Sequence, residues 1–243
     1  MTTRLRADRL LVERGLFESR AKAQAAIEAG LVIADDVKVA KPSDEIPVDA
    51  ALQAAPAHPW VSRGGVKLAA ALDHFRFDPH GRVCLDVGAS TGGFTHVLIS
   101  RGAALVYAVD VGRDQLHRDL HGRTDVVSLE RTDIRTLETE RLPQRPDFIA
   151  VDVSFISLAL VLPAAFALVR PPAQLVALIK PQFEAGRRHL KNGLVRETAV
   201  HEDICRRIAA LVRAHGWTVL GTIPSPIPGG EGNREFLLGA VRD

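Results

Sequence analysis

The sequence predicts an α/β fold: a parallel sheet covered by helices on both faces, preceded by a small α+β unit. Apolar runs at 83–85, 105–109, 148–151 and 175–179, with a more polar segment at 126–132, alternate with helical stretches. Continuous apolar strands of this kind are those buried on both faces of a parallel sheet. These runs end in charged residues, Asp86, Asp110, Asp133, Asp152 and Lys180, at the carboxyl ends of strands where such sheets bind ligands. The smaller unit rests on a change of texture before residue 60, where short elements give way to a stretch broken by prolines.

Taken in order, residues 6–15 and 19–29 read as two short amphipathic helices, with Leu10, Leu11 and Leu16 on the first and Ala23, Ala26 and Ile27 on the second. Ser19 is the expected N-cap of the second, and Gly15 and Gly30 stand where helices end. Short strands follow at 31–33 and 37–39. Pro42, Pro47, Pro56 and Pro59 then mark a linker of limited flexibility, which divides the chain into 1–59 and 60–243. Residues 1–60 carry eight basic against nine acidic side chains, so bulk charge says nothing for a nucleic-acid partner. Their distribution says more: Arg4, Arg6, Arg9, Arg14, Arg20 and Lys22 face only Asp8, Glu13 and Glu18 within the first 24 residues.

In the larger part, Asp86-Val87-Gly88-Ala89-Ser90-Thr91-Gly92-Gly93-Phe94-Thr95 follows the first strand and opens a helix running to Arg101. Glycines at such a turn let a ligand approach the backbone, and free amides at the helix start bind its polar groups. A dinucleotide site uses G-x-G-x-x-G. Here three residues separate Gly88 from Gly92-Gly93, and an acid stands two residues ahead. Asp86 pairs with an ammonium and repels a diphosphate, which favours S-adenosylmethionine, a ligand with an ammonium and no phosphate. Asp110, about 20 residues past the glycines, is where this Rossmann-like class of fold places the acid that binds a ribose diol. The expected cofactor-binding set is Asp86, Gly88, Ser90, Gly92, Gly93, Phe94, Asp110 and Asp133.

A chain of 243 residues with 47% hydrophobic content can bury a full core, and a formal charge of +2 makes no case for RNA by itself. Cys84 in a strand and Cys205 in a helix give neither a disulfide framework nor a metal cluster, which fits a reducing cytoplasm. No metal site is expected: His117-Arg118-Asp119-Leu120-His121 has helical ligand spacing but no third ligand. The N-terminus carries no signal-type apolar region, and the run 158–169 is too short to span a bilayer.

Lys67, Asp152, Lys180 and Glu235 exceed what a cofactor pocket requires and form a plausible general-base set. A ribose hydroxyl needs a base near its oxygen and a methyl donor in line. Burial beside a second cation favours the unprotonated amine, an arrangement expected of Lys67 and Lys180, with Asp152 and Glu235 orienting the ammonium groups and the sugar.

Two resemblances extend this reading. Arg6-Ala7-Asp8-Arg9-Leu10-Leu11, Gly15-Leu16, Glu18-Ser19-Arg20-Ala21-Lys22-Ala23, Ile27-Glu28-Ala29-Gly30 and Val37-Lys38-Val39-Ala40-Lys41-Pro42 resemble the small α+β RNA-binding domain of the ribosomal protein S4 type. Asp35-Asp36 departs from that family's Asn-Gly or Asp-Gly hairpin, which weakens the turn. Nearly the whole chain resembles the TlyA, or hemolysin A-like, family of ribosomal RNA cytidine 2′-O-methyltransferases, related to the FtsJ group. The motifs are 60–68, the turn at 86–95, Asp152-Val153-Ser154-Phe155-Ile156-Ser157, Lys180-Pro181-Gln182-Phe183-Glu184 and Gly232-Asn233-Arg234-Glu235-Phe236.

The resemblance implies a Rossmann-like seven-stranded methyltransferase sheet ending in a hairpin at 217–224 and 235–241, and a Lys67-Asp152-Lys180-Glu235 tetrad. It also implies S-adenosylmethionine as cofactor and ribosomal RNA or a ribosomal subunit as partner. The expected RNA-binding residues are Arg6, Arg9, Arg20, Lys22 and Lys41, with Arg63, Arg187 and Arg188 beside the active site. The chain resembles the shorter subtype, which favours the large subunit. Competing readings are a pseudouridine synthase, for which the nearest string to a catalytic motif is Gly122-Arg123-Thr124-Asp125, and a non-catalytic RNA-binding protein. A pore former has no spanning helix here, and a base-carbon methyltransferase would need one of the two cysteines as nucleophile.

Overall fold

The computed structural model describes residues 3–186, 189–229 and 232–243. The chain divides into two compact units, Met1–Pro59 and Trp60–Asp243. The first contains β1 (Arg4–Arg6), α1 (Ala7–Glu13), α2 (Arg20–Glu28), β2 (Val32–Ala34), β3 (Val37–Lys38), β4 (Glu45–Pro47) and β5 (Leu52–Ala54). Ser19 caps α2 by accepting the Lys22 amide, as its position before the helix requires. Leu10, Leu11, Ala23, Ala26 and Ile27 turn inward from the two helices and close a core with Val32 and Ile46.

Two expectations are corrected in this unit. The proline-broken stretch is not all linker: β4 pairs with β1, and β5 pairs with β2 to make the three-stranded order β3-β2-β5. Pro47 is tolerated because it ends the edge strand of a two-stranded pair. The Asp35-Asp36 turn does form, with φ of 47° and 63°, the left-handed pair that a two-residue hairpin needs. Asp35 offsets part of that strain by accepting the Ala51 amide at 2.8 Å.

The second unit contains α3 (Gly64–Phe75), β6 (Val83–Val87), α4 (Gly93–Ser100), β7 (Leu105–Val109), β8 (Val126–Leu129), β9 (Phe148–Val151), α5 (Leu158–Leu168), β10 (Ala173–Ile179), α6 (Pro181–Glu184), α7 (Thr198–Ala214), β11 (Thr218–Pro224) and β12 (Phe236–Arg242). One seven-stranded sheet runs β11-β12-β10-β9-β6-β7-β8. Pairing is parallel from β10 through β8 and antiparallel at β12, so the sheet is mixed.

The apolar runs explain the layering. Phe148, Ala150, Cys84, Val106 and Val176 face α3 and α4, while the alternate residues Ile149, Val151, Leu85, Tyr107 and Leu175 face α5 and α7. Removing a buried ring such as Phe148, fully shielded between these layers, would cost about 3–5 kcal/mol. The chain leaves β6 toward β7 and β8, then returns to place β9 on the other side of β6. The resulting switch point opens a crevice at the carboxyl ends of β6 and β9.

Candidate functional site

Gly88 sits at this switch point. It has φ of 84°, and a Cβ there would collide with the backbone carbonyl of Asp152 at the end of β9, so only glycine fits between the two strands. Around it open two cavities that share Gly88, Ser90, Asp152 and Ser154. The larger, about 490 Å³, is bounded by Asp110 and Asp133 and by apolar Val153 and Ile156. Asp110 is fixed by the Ser90 amide at 2.8 Å and the Gly112 amide at 2.7 Å, which aim its carboxylate at the end of β7. Ser90 itself has φ of 46°, an outlier of the kind that the surrounding structure must hold in place.

The remaining residues of the expected cofactor set have different places. Phe94 and Gly93 line the smaller cavity. Gly92 lines neither; its bare α-carbon makes room for Leu116 and Leu120. Asp133 lines the larger cavity and also caps a 3-10 turn, pairing with Arg135 at 2.6 Å, and that hydrogen-bonded guanidinium holds its carboxyl below the ordinary range. Asp86 departs most from expectation. It lies inside β6, paired in register with Ala108 and Ala150, and is completely buried without lining either cavity. Direct pairing with a ligand ammonium is therefore not its arrangement. Thr95 donates to its Oδ2 at 2.6 Å, and burial pushes the carboxyl up to about 7 against that hydrogen bond.

The smaller cavity, about 290 Å³, gathers Arg63, Lys67, Asp152, Ser154 and Lys180. Lys180 follows the last residue of β10, and its Nζ reaches Asp152 Oδ1 at 2.6 Å and Ser154 Oγ at 2.8 Å. Lys67 projects from α3 into a nearly dry position, where its Nζ meets Glu235 Oε2 at 2.5 Å. The four residues thus form two ion pairs; each ammonium meets a carboxylate, in place of the expected pairing of one lysine with the other. A buried pair of this kind contributes fixed geometry more than net stability.

A third cavity of about 420 Å³ is lined by Ser154, Lys180 and Glu235 among others. Phe155 lines both this cavity and the larger one, is 90% exposed, and has φ of 64°. Its ring lies 5.0 Å from that of Phe183. In the sequence, Phe155 stands out only as one letter of the 152–157 motif. A bulky apolar residue in the polar turn after a strand-end acid was the available signal.

In the first unit, Asp8 is completely buried and accepts Arg6 at 3.1 Å, Arg20 at 2.7 Å and Gln24 at 2.7 Å; the Arg6 hydrogen bond leads in holding its carboxyl well below the usual range. Arg9 pairs with Glu13 and Lys22 with Glu18, so the local basic excess is partly neutralised. Arg6 and Arg20 still expose about half of their side chains, and Lys41 and Arg63 are exposed. Arg187 and Arg188 lie outside the described residues.

The competing readings find little support here. Arg123 and Asp125 pair at 2.7 Å just before β8, at the end of the sheet away from the cavities. Burial pushes the Cys84 thiol far up and the Cys205 thiol up to about 11, leaving neither as a ready nucleophile. Among the described residues, no helix is long and apolar enough to cross a membrane.

Residues 60–242 match the FtsJ-like methyltransferase family. The 16S/23S rRNA (cytidine-2′-O)-methyltransferase TlyA of Mycobacterium tuberculosis is 43% identical over 241 residues, which cover 98% of this chain and 90% of that protein. Hemolysin A of Brachyspira hyodysenteriae is 37% identical, with 96% of this chain and 98% of that protein covered. A solved structure from Streptococcus thermophilus matches 100% of this chain and 90% of its own at 41% identity and a TM-score of 0.78. The chain belongs to the FtsJ-like methyltransferase family.

Proposed function

We propose that this FtsJ-like methyltransferase is an S-adenosylmethionine-dependent ribosomal RNA (cytidine-2′-O)-methyltransferase. The observation that carries the reading is the convergence of the Lys180–Asp152 and Lys67–Glu235 pairs beside a glycine-cradled cavity at the sheet's switch point. The residues present fit the cofactor. Asp110 offers an acceptor to a ribose diol, Val153 and Ile156 an apolar slot to a purine, and Gly88 a bare backbone for close approach. Asp86 supports that turn from beneath through Thr95, and its Oδ1 is a buried acceptor with no partner among the described residues. When bound, S-adenosylmethionine supplies an electrophilic methyl group.

The chain's own residues supply position and proton transfer. Lys180 Nζ, as the free amine left when its ammonium proton has passed to solvent, is the group that takes the 2′-hydroxyl proton, held by Asp152 and Ser154 so that its direction is set before substrate arrives. Lys67 and Glu235, locked together and almost excluded from water, orient the sugar. Phe155 offers an exposed face on which a base stacks. The substrate class follows from the Mycobacterium tuberculosis relative, named for both subunits' rRNA. The unit 1–59 is proposed as an S4-type RNA-binding domain, supported by two half-exposed arginines anchored on Asp8.

The test is methyl transfer from labelled S-adenosylmethionine to purified ribosomal subunits, followed by alkaline hydrolysis. Label in alkali-resistant dinucleotides is expected, because a 2′-O-methyl group blocks cleavage at its own phosphate. Label released in mononucleotides would mean a methylated base and overturn the reading.

A further inference from the structure

β7 gives way to an irregular stretch, residues 110–117, that walls the larger cavity through Asp110, Val111 and Gln115. A backbone in neither helix nor strand must find partners for its amides elsewhere. Here the Gly112 amide goes to Asp110, and the His117 amide goes to the Thr91 carbonyl in the glycine turn at 3.1 Å. Three consecutive amides go to one side chain. Glu130, directly after β8, accepts the Asp114 amide on Oε2 at 2.7 Å, and those of Gln115 and Leu116 on Oε1 at 2.8 and 3.1 Å.

This grip holds the wall in a conformation that it would not keep by itself. Val111 is 72% exposed, and Asp114 has φ of 52°, a left-handed angle that a non-glycine residue keeps only when its surroundings fix it. Leu116, the last residue gripped, is buried in a cluster with Leu120 and Ala89, and the two leucines fill the space left by the bare α-carbon of Gly92. Glu130 thus ties one side of the cavity to the sheet and, through Leu116, to the glycine turn. It does not line the cavity itself. The amides of Leu116 and Gln115 lead in holding its carboxyl below the ordinary range, so it is ionised at neutral pH.

We propose that Glu130 is a positioning residue for S-adenosylmethionine: it presets the 110–117 wall, so that the cofactor meets a formed surface on arrival. This rests on the reading of the larger cavity as the cofactor's. Only a carboxylate serves at this position. A glutamine has one acceptor oxygen and an NH2 group, so a donor faces a donor whichever way its amide turns: the Asp114 amide in one orientation, the Gln115 and Leu116 amides in the other. A wall formed only part of the time weakens binding by that fraction. Lys180 and its partners Asp152 and Ser154 stand beyond β10 and β9, off this stretch, and keep their contacts.

The experiment titrates S-adenosylmethionine and S-adenosylhomocysteine into the full chain by calorimetry. Glu130→Gln is expected to raise both Kd values about five- to tenfold, and Glu130→Ala at least as much. Asp125→Asn, which breaks the Arg123 pair just before β8, is expected to leave them unchanged. Methyl transfer to ribosomal subunits at saturating cofactor should stay within about twofold of wild type in Glu130→Gln, a KM-against-kcat split that a smaller folded fraction would not produce. Hydrogen exchange on the cofactor-free wild-type chain needs no variant, and it should find the 114–116 amides already protected. Unchanged affinity in Glu130→Gln, a fall in saturating rate as large as the fall in affinity, or free exchange of 114–116 until cofactor is added would each overturn the assignment. Wild-type chain that binds neither compound would instead overturn the cofactor reading beneath it.

Discussion

Lys180 stands where a strand end, a carboxylate and a hydroxyl converge, and the two substitutions most easily made there separate its possible roles. Lys180→Ala is expected to lower methyl transfer by about 10²–10⁴-fold while S-adenosylmethionine still binds, measured by calorimetry beside single-turnover rates. Lys180→Arg should fail almost as badly, because a guanidinium keeps its proton; near-normal turnover would leave Lys180 as a charge that only positions the sugar. Asp110→Ala should weaken cofactor affinity measurably, since no other acid ends β7 beside Ser90.

Asp86 gives a pH signature. Its folded-state carboxyl lies near 7 against an ordinary 3.8, so between those values the folded state holds a proton that the unfolded state has released. Stability contributed by this group is therefore full below about pH 4 and lost as pH rises toward 7. Asp86→Asn should then raise the melting temperature more at pH 8 than at pH 5; an equal shift at both would mean that the carboxyl is not held protonated.

At the scale of elements, the close contact of β6 with β9 makes Gly88 the most exacting position. Gly88→Ala must adopt a left-handed φ and press on the Asp152 carbonyl, so a loss of about 1–2 kcal/mol or more and weaker cofactor binding are expected in thermal melts with and without S-adenosylmethionine. The strands of the sheet were legible because their apolar runs have no polar face to confuse them, and the strand-end charges located the crevice. Local texture misled in the first unit, where Pro47 hid an edge strand whose pairing with Arg4–Arg6 depends on residues about 40 positions away. It misled again at Asp86, since spacing from a glycine does not tell which side of the strand a carboxylate buries.

For the whole molecule, the chain divides at Pro59 into two compact units, and the proposed reading gives docking to the first and chemistry to the second. Arg20→Gln with Lys22→Gln is expected to reduce affinity for ribosomal RNA and flatten its salt dependence, with S-adenosylmethionine binding intact. Neutral glutamines are the proper choice, because a glutamate at position 20 would face the buried Asp8 carboxylate. An unaltered salt slope would make the unit a structural appendage. Ribosomal RNA from cells lacking the gene, complemented with wild-type chain or Lys180→Ala, should be compared by nucleoside mass spectrometry. The expected result is a 2′-O-methylcytidine present only with the wild-type chain; its equal presence in cells lacking the gene, or a methyl group found on a base, would contradict it.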